Sequence, residues 1–225
     1  MEVFNIGENR SEYFQTQIIR SRKKFAYCKV SFHHVKKWKS ILEKNAPYSG
    51  PFLCLGTRNG REIDLFRNVL YSGLFLNLGI RLFEIRRNGY SSILSSIESY
   101  NRSSVAKIGQ NSIVGVEINP DASRQDVLTA SFDDLPENWQ NSFGVIYSNA
   151  FDQSQDPFKT AQEWIRIAKD GAIFILGFSY NEPNQTDPVG KLTVKDFIEL
   201  FPGELLYFEK FGSRYHDVMI QINKK

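Results

Sequence analysis

The chain of 225 residues reads as an α/β protein. The expected form is a three-layer sandwich around a mainly parallel sheet, with a helical extension in front and an antiparallel hairpin at the C-terminus. Three observations predict it. Pro51-Phe52-Leu53-Cys54-Leu55 is a short apolar run closed by Gly56. After the turn TRNG, the segment REIDLFRNVL then puts Ile63, Phe66, Val69 and Leu70 on one helical face. Apolar runs of the same kind recur at SIVGVE, FGVIY and AIFILGF, as parallel strands separated by crossovers require. Finally, Glu204 to Phe211 and His216 to Asn223 are strand-like segments joined only through GSR, too short a link for anything but an antiparallel pair.

Each element has its own signal. Ser11 to Lys24 places Phe14, Ile18 and Ile19 on a helical face, and FAYCKVSF fits a short strand or a loop. Ser31 stands as N-cap to HHVKKWKSILEKN, where Val35, Trp38, Ile41 and Leu42 recur at helical spacing. Residues 1–45 are thus expected to form a helical extension, and residues 46–225 the main domain. Residues 71–112, from LFLNLGIRLFEI to SSILSSIESYNRSSVAK, interrupt the alternation. That insertion caps a substrate, joins two copies of the chain through LFLNLGIRLF, or elaborates the fold locally. Asn119-Pro120-Asp121 forms a turn, Gln125 to Thr129 a brief third strand and Phe143 to Tyr147 a fourth. DPFKTAQEWIRIAKDG follows as a helix with Ala161, Trp164, Ile165 and Ala168 inward and Gly171 at its end. Ala172 to Phe178 is the fifth strand, and Thr193 begins a last helix.

Composition excludes more than it selects. With 28 basic and 25 acidic residues the net charge of +3 is too small to require nucleic acid or an anionic membrane. The basic run of Arg20, Arg22, Lys23, Lys24, Lys29, Lys36, Lys37 and Lys39 therefore reads as a solvated face before it reads as an RNA contact. Cys28, Cys54, His33, His34 and His216 carry no recognisable zinc-ligand spacing, so no metal is expected. No stretch approaches the roughly 18 apolar residues of a spanning helix, and MEVFNIGENRSEYF lacks the pattern of a signal peptide. A cytoplasmic protein is expected.

The succession FLCLGTRNG, VGVEINP, ASFDDLP, FGVIYSNAFDQSQDP and EWIRIAKDGAIFIL resembles the ordered motifs of class I S-adenosyl-L-methionine-dependent methyltransferases, of the small-molecule, type 11-like kind. The resemblance implies a Rossmann-like fold, S-adenosyl-L-methionine as cofactor and methyl transfer to a small-molecule acceptor. It also implies a cofactor site: Leu55, Gly56, Thr57 and Gly60 beneath the methionine portion, Glu117 and Ile118 at the ribose, Phe132 and Asp133 at adenine, and Ser148 and Asn149 on the strand end. Physical chemistry agrees at two points. A glycine after the first strand lets backbone approach a ligand, and an acid ending the second strand can accept from both ribose hydroxyls. Asp152 is the candidate general base, or else caps the next helix. Gln153, Tyr180 and Asn181, with Glu182 beside them, are candidate substrate contacts.

The pattern is not matched throughout. Cys54 stands where an acid is usual, and Arg58 replaces the middle glycine of the turn. The cofactor's ammonium then falls to backbone carbonyls or to an acid from elsewhere, and Arg58 either meets the methionine carboxylate or points to solvent. Ser131 also stands where an acid is common. Glu117 follows Gly56 by 61 positions (117 − 56), against about 20 in an uninterrupted unit, so the insertion must loop out. Two other readings remain open: a non-catalytic binding or assembly module on the same fold, and a nicotinamide-dependent oxidoreductase.

Overall fold

Burial on both faces defines the central strands. β2 (Phe52–Leu55), β3 (Ile113–Glu117) and β5 (Phe143–Ser148) are buried at every position, which a strand adopts when both faces are covered. The computed structural model describes residues 1–7, 10–24, 28–45, 50–71, 112–122, 124–211 and 215–224. The expectations for the insertion therefore lie outside the described residues, as does the GSR link. β1 (Glu2–Val3), β4 (Val127–Thr129), β6 (Ala168–Ser179), β7 (Val189–Gly190), β8 (Gly203–Phe211) and β9 (Tyr215–Ile222) complete the strands. The helices are α1 (Arg10–Lys23), α2 (Phe32–Asn45), α3 (Arg61–Tyr71), α4 (Pro157–Ile167) and α5 (Val194–Leu200).

The seven-stranded sheet has the order β4-β3-β2-β5-β6-β9-β8. Its first five strands pair in parallel, and β9 and β8 pair antiparallel, as the sequence predicts. Along β2 the side chains alternate between two layers. Leu53 and Leu55 pack with Trp164 of α4 and with Phe197 and Leu200 of α5. Phe52 and Cys54 pack with Val35, Trp38 and Leu42 of α2 and with Ile63 and Phe66 of α3. The N-terminal extension thus supplies a helix that covers the sheet. From β2 the chain runs outward to β3 and β4, then returns to β5 on the other side, so the carboxyl ends of β2 and β5 border the crevice of a topological switch point.

Two expectations are corrected. In α1 the buried residues are Tyr13, Gln17 and Ser21, whereas Phe14 and Ile18 are half-buried and Ile19 is 48% exposed. The inward face is polar because it meets hydrogen-bonding groups rather than core. The helix expected to run to Gly171 stops at Ile167. Ala168 is extended (φ −69°, ψ 149°) and already pairs with Phe143, so Gly171 (φ 73°) lies within β6, near a register shift. The small β1·β7 sheet has no counterpart in the sequence reading. Ser31 does cap α2: the His34 N–H reaches Ser31 Oγ at 3.5 Å, and Ser31 N–H donates to His34 Nδ1 at 3.2 Å.

Candidate functional site

The turn after β2 keeps a glycine geometry with fewer glycines. Gly56 and Gly60 both have φ 73°, and Arg58, where the middle glycine is usual, has φ 52°. A non-glycine residue in the left-handed region costs about 1 kcal/mol. Its return is a backbone N–H turned onto the next strand, for Arg58 N donates to Glu117 Oε2 at 2.7 Å. Gly56 N donates to Val116 O at 2.9 Å, and a Cβ on Gly56 would lie 2.7 Å from that of Ala150. Gly60 is held differently, packed against the Arg124 guanidinium.

Glu117 is 4% exposed, and its carboxylate is fully engaged. Oε1 accepts from Asn119 N at 3.1 Å and from Ser21 Oγ at 3.1 Å, and Oε2 accepts from Arg58 N. Ser21 arrives from α1, whose other inward groups fix the helix over the crevice. Tyr13 Oη donates to Gln153 O (2.6 Å), Gln17 donates to Thr186 O (2.7 Å), and Arg20 pairs with Asp187. Beneath α1 is a cavity of about 40 Å³, lined by Phe14, Gln17, Arg20 and Ser21 of α1 together with Gly56, Arg58, Glu117, Ile118, Phe132, Asp133 and Gln153. A pocket for a ligand of cofactor size is roughly 300 Å³ or more, so with α1 in this position the cavity is too small for one.

The structure brings together some expected residues and sets others apart. Gly56, Glu117, Ile118, Phe132, Asp133 and Gln153 share the cavity wall. Phe132 lies edge-on to Trp164, whose Nε1 donates to Phe132 O at 2.9 Å, and Thr160 donates to the Asp133 carboxylate. Leu55 and Ser148 instead tie β2 to β5, through Ser148 Oγ donating to Leu55 O at 3.1 Å. Thr57 is buried behind the turn, its Oγ1 without a hydrogen bond among the described residues. Tyr180 is 53% exposed and Asn181 is exposed, with its carbonyl accepting from Lys191 N at 2.7 Å. Neither lines the cavity.

Asp152 sits in the 3-10 turn Phe151–Gln153 that follows β5. Its Oδ1 is buried without a hydrogen-bond partner among the described residues. Burial, and then the charge of Asp187, push its carboxyl up to about 7, against the opposing pull of Arg20, Lys29 and Arg58. The capping alternative is corrected here. The N-cap of α4 is Asp156, which accepts from Phe158 N at 3.1 Å and Lys159 N at 3.0 Å.

Two further residues meet nearby: Lys29, which the sequence reading placed on a solvated basic face and whose pKa is shifted by burial, and Asp217, which it did not single out. A Cβ on Gly177 would lie 3.1 Å from Asp217 Oδ1, 3.3 Å from Lys29 Nζ and 3.4 Å from Asn149 Cβ. Burial lowers the pKa of Lys29 and raises that of Asp217 to about 6, with Lys29 opposing the latter rise. The one sequence signal was an acid inside an otherwise strand-like apolar segment, YHDVMIQI. His34 stacks on Trp38 and meets Phe211 edge-on, His33 is exposed, and His216 stacks on Phe178. Among the described residues no group of three His, Cys, Asp or Glu side chains is arranged to hold a metal ion, and no helix is long and apolar enough to cross a membrane.

No family's sequence profile matches the chain, nor does any curated protein sequence. Solved structures do match. A methyltransferase from Aquifex aeolicus described as S-adenosylmethionine-dependent is similar at 12% identity, with TM-score 0.52 over 86% of this chain and 100% of that one. The Burkholderia thailandensis 1,6-didemethyltoxoflavin N1-methyltransferase, solved with bound 1,6-didemethyltoxoflavin and S-adenosylhomocysteine, is similar at 10% identity. Its TM-score is 0.54, covering 95% of this chain and 89% of that one. The [4+2]-cyclase SpnF is similar at 10% identity and TM-score 0.51, covering 100% and 98%. With the strand order β4-β3-β2-β5-β6-β9-β8 and its terminal antiparallel hairpin, the chain has the class I S-adenosylmethionine-dependent methyltransferase fold.

Proposed function

We propose that the chain binds S-adenosyl-L-methionine at the switch point and is an enzyme that transfers its methyl group to a small-molecule acceptor. The observation that carries this reading is Glu117. It is a buried carboxylate at the end of β3, clasped by the N–H of the β2 turn, and it shares one cavity wall with Phe132 and Asp133. The donor set suits the cofactor. Glu117 has an oxygen now held by a hydroxyl, that of Ser21, which a ribose hydroxyl can replace. Phe132 and Ile118 offer apolar cover for adenine, Asp133 a polar edge, and Gly56 a bare backbone. Space for the cofactor requires α1 to withdraw from the cavity. When bound, the cofactor supplies an activated methyl group, so the protein's work is alignment and exclusion of water.

For the acceptor, the polar groups at the ends of β5, β6 and β9 are the available ones: Asp152, Asn149, Lys29 and Asp217. A carboxyl held near 7 can take a proton from a hydroxyl or amine at neutral pH, which keeps Asp152 as the candidate base, with Gln153 beside it. Tyr180 and Asn181 remain substrate contacts in this reading only if their loop folds inward. Parallel calorimetric titrations with S-adenosylmethionine, S-adenosylhomocysteine and NAD test it. Binding of the first two and not of NAD is expected, and binding of NAD alone would replace it with the oxidoreductase reading.

A second reading keeps the fold without methyl transfer. It is a non-catalytic binding or assembly module, and the occupation of Glu117 by Ser21 favours it. Absence of binding to all three ligands would put it first.

A further inference from the structure

The first strand lacks the acid that would balance the cofactor's ammonium, and the structure holds a replacement one element later. Cys54 occupies that position fully buried, and burial raises its thiol well above the ordinary value, so it is neutral. Its side chain enters the layer between the sheet and α3. In the first turn of α3, eight positions on (62 − 54), Glu62 is 1% exposed. Its Oε2 has no hydrogen-bond partner among the described residues. A buried carboxylate oxygen without a partner is costly unless a cation or donor reaches it.

The Cys28 thiol, from the segment before α2, hydrogen-bonds the Glu62 carboxyl, and Cys54 from β2, Arg58 from the turn, Glu117 from β3 and Tyr147 from β5 are electrostatically coupled to it. Of these, Arg58 and Glu117 line the cavity at the β2 turn, where the cofactor's methionine portion is placed in the proposed function, and Glu62 lies behind them in the first turn of α3. Resting on that function, we propose that Glu62 is the acid that receives the α-ammonium of the bound cofactor, in place of the residue missing from β2.

The charge balance has a measurable consequence. Burial holds the Glu62 carboxyl up at about 7, so near neutral pH the ligand-free protein carries it partly protonated. An ammonium placed against it favours the carboxylate, and the proton leaves to solvent. Ligands with the amino acid portion then release protons on binding and bind more tightly as pH rises toward 7. Ligands without it do neither through Glu62.

The test uses S-adenosylhomocysteine and 5′-methylthioadenosine, which share the adenosine thioether and differ in the amino acid portion. Calorimetry of the whole chain and of Glu62→Gln, in two buffers of different ionisation enthalpy, reads affinity and proton release together. Glu62→Gln is expected to weaken S-adenosylhomocysteine about tenfold or more, with methylthioadenosine changed less than about twofold. Proton release on binding S-adenosylhomocysteine is expected in the unaltered protein and is expected to be lost in Glu62→Gln. Equal loss for both ligands, no loss for either, or identical proton release with the two ligands in the unaltered protein would overturn the assignment of Glu62 while leaving the cofactor site standing. Failure of the unaltered protein to bind either ligand would overturn the function on which it rests.

Discussion

Glu117 joins three donors at one carboxylate, two of them backbone N–H groups that set the shape of the β2 turn and of the β3 end. Hydrogen bonds to a charged group contribute about 1.5–3 kcal/mol each. Glu117→Ala is therefore expected to weaken S-adenosylhomocysteine binding by about 10- to 100-fold, measured by calorimetry; unchanged affinity would remove Glu117 from the site. Arg58 shows how a departure from a motif is absorbed. Its backbone keeps the left-handed geometry of a glycine, φ 52°, so the N–H still points at Glu117, while the side chain introduces a charge that glycine would not. Glycine was unnecessary there for the turn itself.

At the scale of elements, α1 lies over the crevice. It is held by polar contacts, from Tyr13 to Gln153, Gln17 to Thr186, Arg20 to Asp187 and Ser21 to Glu117, and such contacts exchange for water far more readily than buried apolar surface does. If Ser21 competes with the ribose, Ser21→Ala should tighten S-adenosylhomocysteine binding by a few fold, about 1 kcal/mol being the usual net worth of one hydrogen bond. Weaker binding would show that Ser21 is itself a cofactor contact. The helices on the other layer are fixed by local chemistry. Thr193 and Asp196 form a reciprocal capping box at the start of α5. Thr193→Ala is expected to cost about 1 kcal/mol of stability, read from denaturant midpoints, with cofactor binding unaffected.

For the whole molecule the buried acids set the pH dependence. Burial raises Glu62 and Asp152 to about 7 and Asp217 to about 6. An acid raised in the folded state contributes its stability in full below the unfolded pKa, about 4. That contribution is lost as pH rises through the folded value. Asp126 has the opposite sign. Burial alone would raise it, yet hydrogen bonds and charge from Arg124 and then Arg67 hold it below the ordinary range, so its contribution is present at neutral pH and lost on acidification. These three acids should lower the urea midpoint of the ligand-free chain between about pH 4 and pH 7, and Asp152→Asn should flatten their contribution. An Asp152→Asn profile identical to that of the unaltered chain would mean that Asp152 is not buried as described.

The sequence by itself determined the sheet and most of its helices, because short apolar runs, a glycine turn and 3.6-residue periodicity are local signals that burial on both faces enforces. It therefore contained Phe52–Leu55, Ile113–Glu117, Phe143–Ser148, α3 and the terminal hairpin. Of the site residues it suggested, Gly56, Glu117, Ile118, Phe132, Asp133 and Gln153 line the cavity, at or shortly after a strand end, whereas Leu55, Thr57, Gly60, Ser148 and Asn149 do not. Where two signals competed, it misled: AKDG read as a helix end, but strand pairing with Phe143 claimed Ala168 first. What only the tertiary structure decided is which face of α1 turns inward, that α1 lies on Glu117, and that Lys29, Asp217 and Glu62 gather around the strand ends and the β2 turn. A polar helix face carries no hydrophobic pattern to announce it, and these residues are far apart in the chain. Their meeting depends on how the extension and β9 pack against the sheet, which periodicity does not encode.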